Sequence, residues 1–268
     1  MTIALYVPGD RPDRFGKAVD SGADIVILDL EDAVAHDRKD VARDAVAAFL
    51  RERGPAGLQV RIGALADLEA LAPDGADGRR VDIRVPKVRG ASDLDDVVER
   101  LGDASPRLHA IVEDAAGIAR LDEIAAHPAV ASVAIGESDL RSDLGAASPA
   151  MLEHLRIRLV LAARGAGLPA PLMSAYPAIA DLEGFEADCR AGAALGFGGR
   201  TVVHPRQIAP ARRAFAPSEA EVAWAEGVLA ALSPGVGVAT LADGQMVDEA
   251  MRPRAERILS RRPAPLIE

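Results

Sequence analysis

Three apolar runs in this chain end in carboxylates. The run Ile25–Leu28 leads into Asp29, Glu31 and Asp32 within VILDLEDAV, residues 26–34. Ile111 and Val112 lead into Glu113 and Asp114 in IVEDAAGI, and VAIGESDLRSDLG carries Glu137 and Asp139. A buried strand has no reason to end in several acids unless negative charge is needed there. Gathered at one end of a parallel sheet, such acids form an oxygen cage for a hard cation such as Mg²⁺. Glu113 and Asp139 are the selected pair, because neighbouring strands lie only about 5 Å apart. Two carboxylates at that spacing repel unless a cation or a proton separates them. The alternative is that they are surface loop acids.

The cations near these acids have two readings each. Arg61, in VRIG, must meet an anion or reach solvent from a short apolar strand. It would grip a substrate carboxylate or an enolate oxygen, or pair with Asp29 or Asp32 on the next strand. Lys87, in RVPKV, is either a Schiff-base lysine or a charge-balancing lysine at a strand end; the second reading is preferred. His204, in VVHPRQI, is read as positioning a strand-to-helix turn in preference to acting as a general base. Arg11, Arg14 and Lys17 group in VPGDRPDRFGKA within an otherwise acidic chain. Such a cluster suits a phosphorylated ligand at a site mouth, or is a solvated helix face.

Alternating strand and helix patterns must position these groups. The expected strands are 3–7, 25–30, 58–62, 81–88, 108–112, 130–136, 170–175 and 200–204, mostly short and β-branched as in buried parallel sheets. Helices are expected at 11–21, 39–53, 65–72, 92–101, 116–126, 149–166, 181–195 and 206–214. Ser148 with Pro149 reads as a cap and a first-turn proline, and Ser218 with Glu221 as a capping box opening a ninth helix, 219–232. Eight strand–helix units predict an α/β fold, a (β/α)₈ TIM barrel. A doubly wound sheet is the rival, but no glycine fingerprint follows the first strand. The Gly- and Pro-marked SPGVGV after Leu232 divides the chain into a barrel domain, 1–232, and a C-terminal helical extension, 233–268. The extension's apolar residues (Met246, Val247, Met251, Ile258 and Leu259) are too sparse to fold alone, so a neighbouring subunit is expected to supply their surface.

The bulk numbers exclude several classes. A net charge of −10 argues against nucleic-acid and anionic-membrane partners. The single cysteine, Cys189, excludes an internal disulfide and reads as a small core residue. No signal peptide and no 18-residue apolar span is present, so a cytoplasmic location is expected.

Taken in order, VPGDRPDRFGKA, VILDLEDAV, VRIG, VPKV, IVEDAAGI, IGESDLRSDLG, GFGGRTVVHPRQI, FAPSEAEVAWAEGVLAA and DGQMVDEAM resemble the citrate lyase beta-subunit-like family of the HpcH/HpaI aldolase superfamily. The resemblance implies a (β/α)₈ barrel, commonly trimeric, whose C-terminal segment reaches a neighbouring subunit. It implies Mg²⁺ on Glu113 and Asp139, with Arg61 and Glu113 meeting the substrate. It implies coenzyme A against Arg14, Phe15 and Lys17, and Asp248 as an acid entering the adjacent active site. Glu31 and Asp32 would order water and Arg61. Gly63 departs from the pattern, standing where Asn is usual. The implied activity is Mg²⁺-dependent cleavage or formation of a C–C bond in 3-hydroxyacyl-CoA thioesters such as malyl-, citramalyl-, 3-hydroxy-3-methylglutaryl- or citryl-CoA. A CoA-independent pyruvate aldolase and a non-catalytic CoA-binding paralogue are the alternatives.

Overall fold

The computed structural model describes residues 1–71, 81–102, 107–145, 148–232 and 237–262. Eight parallel strands form one sheet: β1 (Thr2–Pro8), β2 (Ile25–Asp29), β3 (Leu58–Arg61), β4 (Asp82–Val85), β5 (Leu108–Val112), β6 (Val130–Ile135), β7 (Leu172–Met173) and β8 (Gly199–Val202). Their hydrogen-bonded order is β6-β5-β4-β3-β2-β1-β8-β7. This is the expected (β/α)₈ barrel, with β6 and β7 as the nearly closed seam. Pro169 and Pro171 lack amide hydrogens, which leaves β7 only two residues long. Across the seam the Glu137 amide donates to Ser174 Oγ at 3.4 Å.

The crossover helices form where the sequence offers an apolar stripe. Helix Lys39–Arg53 buries Ala42, Val46 and Ala47, and helix Ala91–Leu101 buries Leu94, Val97 and Leu101. Two expectations need correction. The sequence pattern gave no helix between β6 and the one expected at 149–166, yet Glu137–Leu144 is helical, stopped by Gly145 in the left-handed conformation. Ser148 occupies the cap position before Pro149, but its hydroxyl makes no capping bond. The Ser218–Glu221 capping box is formed, with the Glu221 amide donating to Ser218 Oγ at 3.2 Å and the Ser218 amide donating to Glu221 Oε2 at 2.8 Å. Among the described residues no helix is long and apolar enough to cross a membrane.

Residues Thr2–Ala211 form one compact unit, and the chain from Arg212 onward forms a second, together with Met1. In the second unit, helix Glu219–Ala231, an antiparallel hairpin (Val238–Thr240 with Met246–Asp248) and helix Arg252–Ser260 share a core. Ala225, Val228 and Leu232 pack there with Val247, Ala255 and Ile258. Helix 219–231, assigned above to the barrel domain, thus supplies the apolar surface that the C-terminal residues lack, and the extension is a hairpin plus a helix. Most of the SPGVGV break lies outside the described residues.

Candidate active site

At the C-terminal ends of the barrel strands, a cavity of about 340 Å³ is lined by Tyr6, Asp29, Arg61, Arg84, Glu113 and Asp139, among others. Parallel register explains why they meet. Asp29 is paired with Arg61 across β2 and β3, and Arg61 with Arg84 across β3 and β4.

Arg61 is gripped from one side. Its Nε and Nη2 donate to the two oxygens of Asp29 at 2.8 and 2.6 Å. Nη1 lies 2.8 Å from Glu31 Oε2, and the guanidinium stacks over Tyr6 with its carbon 4.9 Å from the ring centroid. Burial opposes the charge, but the Asp29 hydrogen bonds and the nearby acids outweigh it and hold the pKa above its ordinary value. Of the two partners the sequence offered, Asp29 is the one engaged. Asp32 instead lies 3.5 Å from Lys87 Nζ. Glu31 Oε2 is buried and, despite its closeness to Arg61, has no hydrogen bond of proper geometry.

Glu113 follows β5 and is 5% exposed. Its pKa is pushed up to about 7, by burial first and then by the negative charges of Glu31 and Asp139. The Lys87 amide donates to Glu113 Oε2 at 3.0 Å, and Lys87 holds the left-handed conformation, φ 56°, to do so. The Lys87 side chain is bonded to Glu31, and this raises its pKa, although partial burial opposes the shift. A lysine kept charged in this way is the charge-balancing residue expected, not a Schiff-base nucleophile. Asp139 stands in the first turn of helix Glu137–Leu144, on the cavity wall. That helix is anchored from behind. Arg156 donates to both oxygens of Glu137 at 2.9 and 3.0 Å and to Asp188 at 2.8 Å. Asp188 in turn accepts from Arg200 at 2.7 Å.

Two glycines make close approaches possible. A Cβ at Gly136 would lie 2.6 Å from Glu113 Oε1, and one at Gly63 would lie 2.5 Å from the Leu30 carbonyl oxygen. A side chain at position 63, the usual Asn included, would therefore not fit the way the β2 and β3 ends pack here. Gly136→Ala should displace the Glu113 carboxylate and lower its pKa by exposing it, which ¹³C NMR titration of the glutamates would detect.

The remaining expectations fare unequally. His204 caps the turn after β8, its Nδ1 accepting from the Arg206 amide at 3.1 Å, as its positioning role requires. Cys189 is fully buried. Arg14 and Lys17 are exposed after β1 and make no ion pair among the described residues. Phe15 needs correction: its ring is 1% exposed and packs 5.1 Å from Phe49, so it anchors the helix and is not available to a cofactor. Asp248 lies in the second unit, where it caps a turn by accepting from the Ala250 amide at 3.0 Å. Arg84 was missed. The signal was present in DIRV, an arginine within an apolar strand, which is the pattern that marked Arg61.

The profile of the HpcH/HpaI aldolase/citrate lyase family matches residues 2–205. A (3S)-malyl-CoA thioesterase of Cereibacter sphaeroides is 38% identical over 260 residues, covering 91% of this chain and 88% of the relative. An L-malyl-CoA/beta-methylmalyl-CoA lyase of Rhodobacter capsulatus is 34% identical, covering 95% of this chain and 92% of the relative. CitE from Mycobacterium tuberculosis, solved in complex with magnesium, acetoacetate and coenzyme A, is 34% identical and superposes with a TM-score of 0.82, covering 97% of each chain. With its barrel, its acid-tipped strands and these relatives, the chain belongs to the HpcH/HpaI aldolase/citrate lyase family.

Proposed function

We propose that the protein is a Mg²⁺-dependent carbon–carbon lyase that cleaves or forms 3-hydroxyacyl-CoA thioesters. The observation that carries this reading is the cavity in which Glu113 and Asp139 share space with the carboxylate-anchored guanidinium of Arg61. The residues present suit Mg²⁺. The donors are hard oxygens, the Glu113 carboxylate is destabilised by its acidic neighbours, and Glu31 Oε2 is a buried acceptor in want of a donor such as an ordered water. Among the described residues no three His, Cys, Asp or Glu side chains converge as a full cage. That agrees with a cation held by one or two carboxylates and completed by water and substrate. When bound, Mg²⁺ supplies Lewis-acid polarisation of a hydroxy-acid oxygen.

Cleavage requires a base to take the hydroxyl proton; the C–C bond then breaks and its electron pair passes to the acyl α-carbon. Arg61 offsets the negative charge that develops in the cavity. Glu31 and Asp32 hold Arg61, Lys87 and water in place. Arg14 and Lys17 offer exposed positive charge after β1 to the phosphates of coenzyme A. The relative crystallised with magnesium and coenzyme A supports this assignment.

The test is an assay with and without Mg²⁺ on malyl-, citramalyl-, 3-hydroxy-3-methylglutaryl- and citryl-CoA, with products resolved by chromatography. A short acyl-CoA plus a keto acid is expected. Free CoA plus an intact hydroxy acid would instead place the chain with its thioesterase relative. Cleavage of free 4-hydroxy-2-keto acids as readily as of CoA esters would favour a CoA-independent aldolase, and no turnover at all a binding paralogue.

The pH dependence of metal binding is a second check. Because Glu113 must lose its proton before binding a cation, Mg²⁺ affinity should fall about tenfold per pH unit below about 7 and level off above it. Calorimetric titration across that range would show this, and an affinity independent of pH would remove Glu113 from the metal.

The resemblance also proposes a homo-oligomer, a trimer, in which Asp248 of one subunit serves as acid or base over a neighbour's metal pair. Asp248→Asn and Glu113→Ala proteins, each inactive, should regain part of the activity when dissociated and reassembled together. Mixed oligomers then contain sites in which both residues are wild type. Action within one subunit would recover nothing.

A further inference from the structure

Five acids line the cavity: Asp29, Asp32, Glu113, Glu137 and Asp139. Three of them already face a cation of the fold. Asp29 lies 2.6 Å from Arg61, Asp32 lies 3.5 Å from Lys87, and Glu137 lies 2.9 Å from Arg156. Among the described residues, only Glu113 and Asp139 of the five have no cation within ion-pair distance. Two carboxylates therefore remain for a divalent ion, and their charge matches it. The fold sets that number, because each surplus acid is answered by a cation.

Glu137 is the acid whose withdrawal is least expected. It opens the helix that carries Asp139 and stands next to Gly136. A Cβ at Gly136 would lie 2.6 Å from Glu113 Oε1, so Glu137 starts beside the metal pair. Both of its oxygens nevertheless turn away, to Nε and Nη2 of Arg156 at 2.9 and 3.0 Å. Arg156 comes from helix Pro149–Gly165, in the layer outside the strands, and is 7% exposed. Asp188 fixes the guanidinium from the other side, with Nη1 donating to it at 2.8 Å. A planar fork fixed in this way holds the Glu137 carboxylate in one orientation.

We infer that Arg156 determines which divalent cation the site prefers, by keeping Glu137 out of it. This rests on the metal site proposed at Glu113 and Asp139, and accounts for its choice of ion. Mg²⁺ is small, demands octahedral geometry, and is usually held by one or two carboxylates with several waters. Ca²⁺ takes about six to eight oxygens in looser geometry and gains from a further carboxylate. Freed from Arg156, Glu137 would be a buried carboxylate without a partner, and would turn to the nearest cation. The site would then hold three carboxylates, an arrangement that suits Ca²⁺. Arg156 touches neither metal nor substrate, so it is a positioning residue.

Mg²⁺ and Ca²⁺ affinities would be measured by calorimetry on the full chain at about pH 8, where Glu113 is ionised. Arg156→Met should bind Ca²⁺ at least about tenfold more tightly than the wild type does, with Mg²⁺ changed by no more than about threefold. Adding Glu137→Gln removes the third carboxylate, and should return Ca²⁺ to within about twofold of its wild-type affinity. Should Arg156→Met fail to fold, Arg156→Lys takes its place. One ammonium cannot hold both oxygens as the fork does, and a Ca²⁺ gain of about threefold is expected. A merely structural role for Arg156 would weaken both cations in the single variant and leave them weak in the double variant. That result overturns the inference, as does an unchanged Ca²⁺ affinity. No Mg²⁺ binding by the wild type would remove the metal reading itself, and this inference with it. Mg²⁺ binding without the Ca²⁺ gain would remove this inference alone. No thioester enters the measurement, so a Ca²⁺ gain in a chain that cleaves no CoA ester would remove the lyase reading and leave Arg156 in its role.

Discussion

Glu113→Gln should lower kcat on the order of 10³-fold while making the metal-free protein more stable at about pH 8. The two effects have one cause. In the folded protein the Glu113 carboxyl holds its proton up to about 7, against an ordinary value of 4.5, because burial, Glu31 and Asp139 all oppose the charge. The folded state thus binds the proton more tightly than the unfolded chain. Between those two values stability falls as pH rises, and by pH 8 the ionised group costs about 3 kcal/mol. The amide variant never acquires that charge, so its melting temperature should exceed the wild type's by several degrees. In return Mg²⁺ should no longer raise the melting temperature. Unchanged turnover in Glu113→Gln would remove the metal assignment.

Arg61→Met carries the second large effect, and here stability and activity fall together. Removing the guanidinium leaves Asp29, 1% exposed, as a buried carboxylate without its cation, and leaves Glu31, 4% exposed, with Lys87 alone. Breaking a buried pair from one side typically costs about 3–5 kcal/mol, which urea unfolding would measure. Adding Asp29→Leu should recover part of that loss, because the second substitution removes the stranded charge. Activity should stay low in the double variant, since neither change restores a cation to the cavity. A double variant no more stable than Arg61→Met would mean that the pair contributes little.

The barrel was legible in the sequence because its strands are short, β-branched and separated by amphipathic segments. Seven of the eight strands begin within one residue of the expected position, and the exception, β7, has a local cause. At β7 the prolines remove the donors that a longer ladder needs. The segment 137–144 hid its helix because ESDLRSDL offers only Leu140 and Leu144 as apolar residues, too few for a periodic stripe. Its helicity is fixed instead by Gly145 and by the Arg156–Glu137 pair, which join residues too far apart in sequence to suggest one another. Arg61 was ambiguous from sequence because the competing partners, Asp29 and Asp32, lie close together at and just beyond the end of β2, and only register selects Asp29. The burial of Phe15 was unreadable for a similar reason: Phe49, its partner, lies a whole strand and helix away.

The ion pairs behind the Asp139 helix also bear on how such a chain can change over generations. Glu137, Arg156, Asp188 and Arg200 alternate in sign, so the row is neutral as a whole. Replacing any one of them strands a neighbour's charge in the interior, whereas replacing two adjacent members of opposite sign leaves the row neutral. Substitutions here should therefore become established as pairs. A lineage could drift from four charges to two, or to none, but the intermediate with an odd number would be the least fit. The helix bearing Asp139 would be exposed to that barrier although none of the four residues is assigned to the metal.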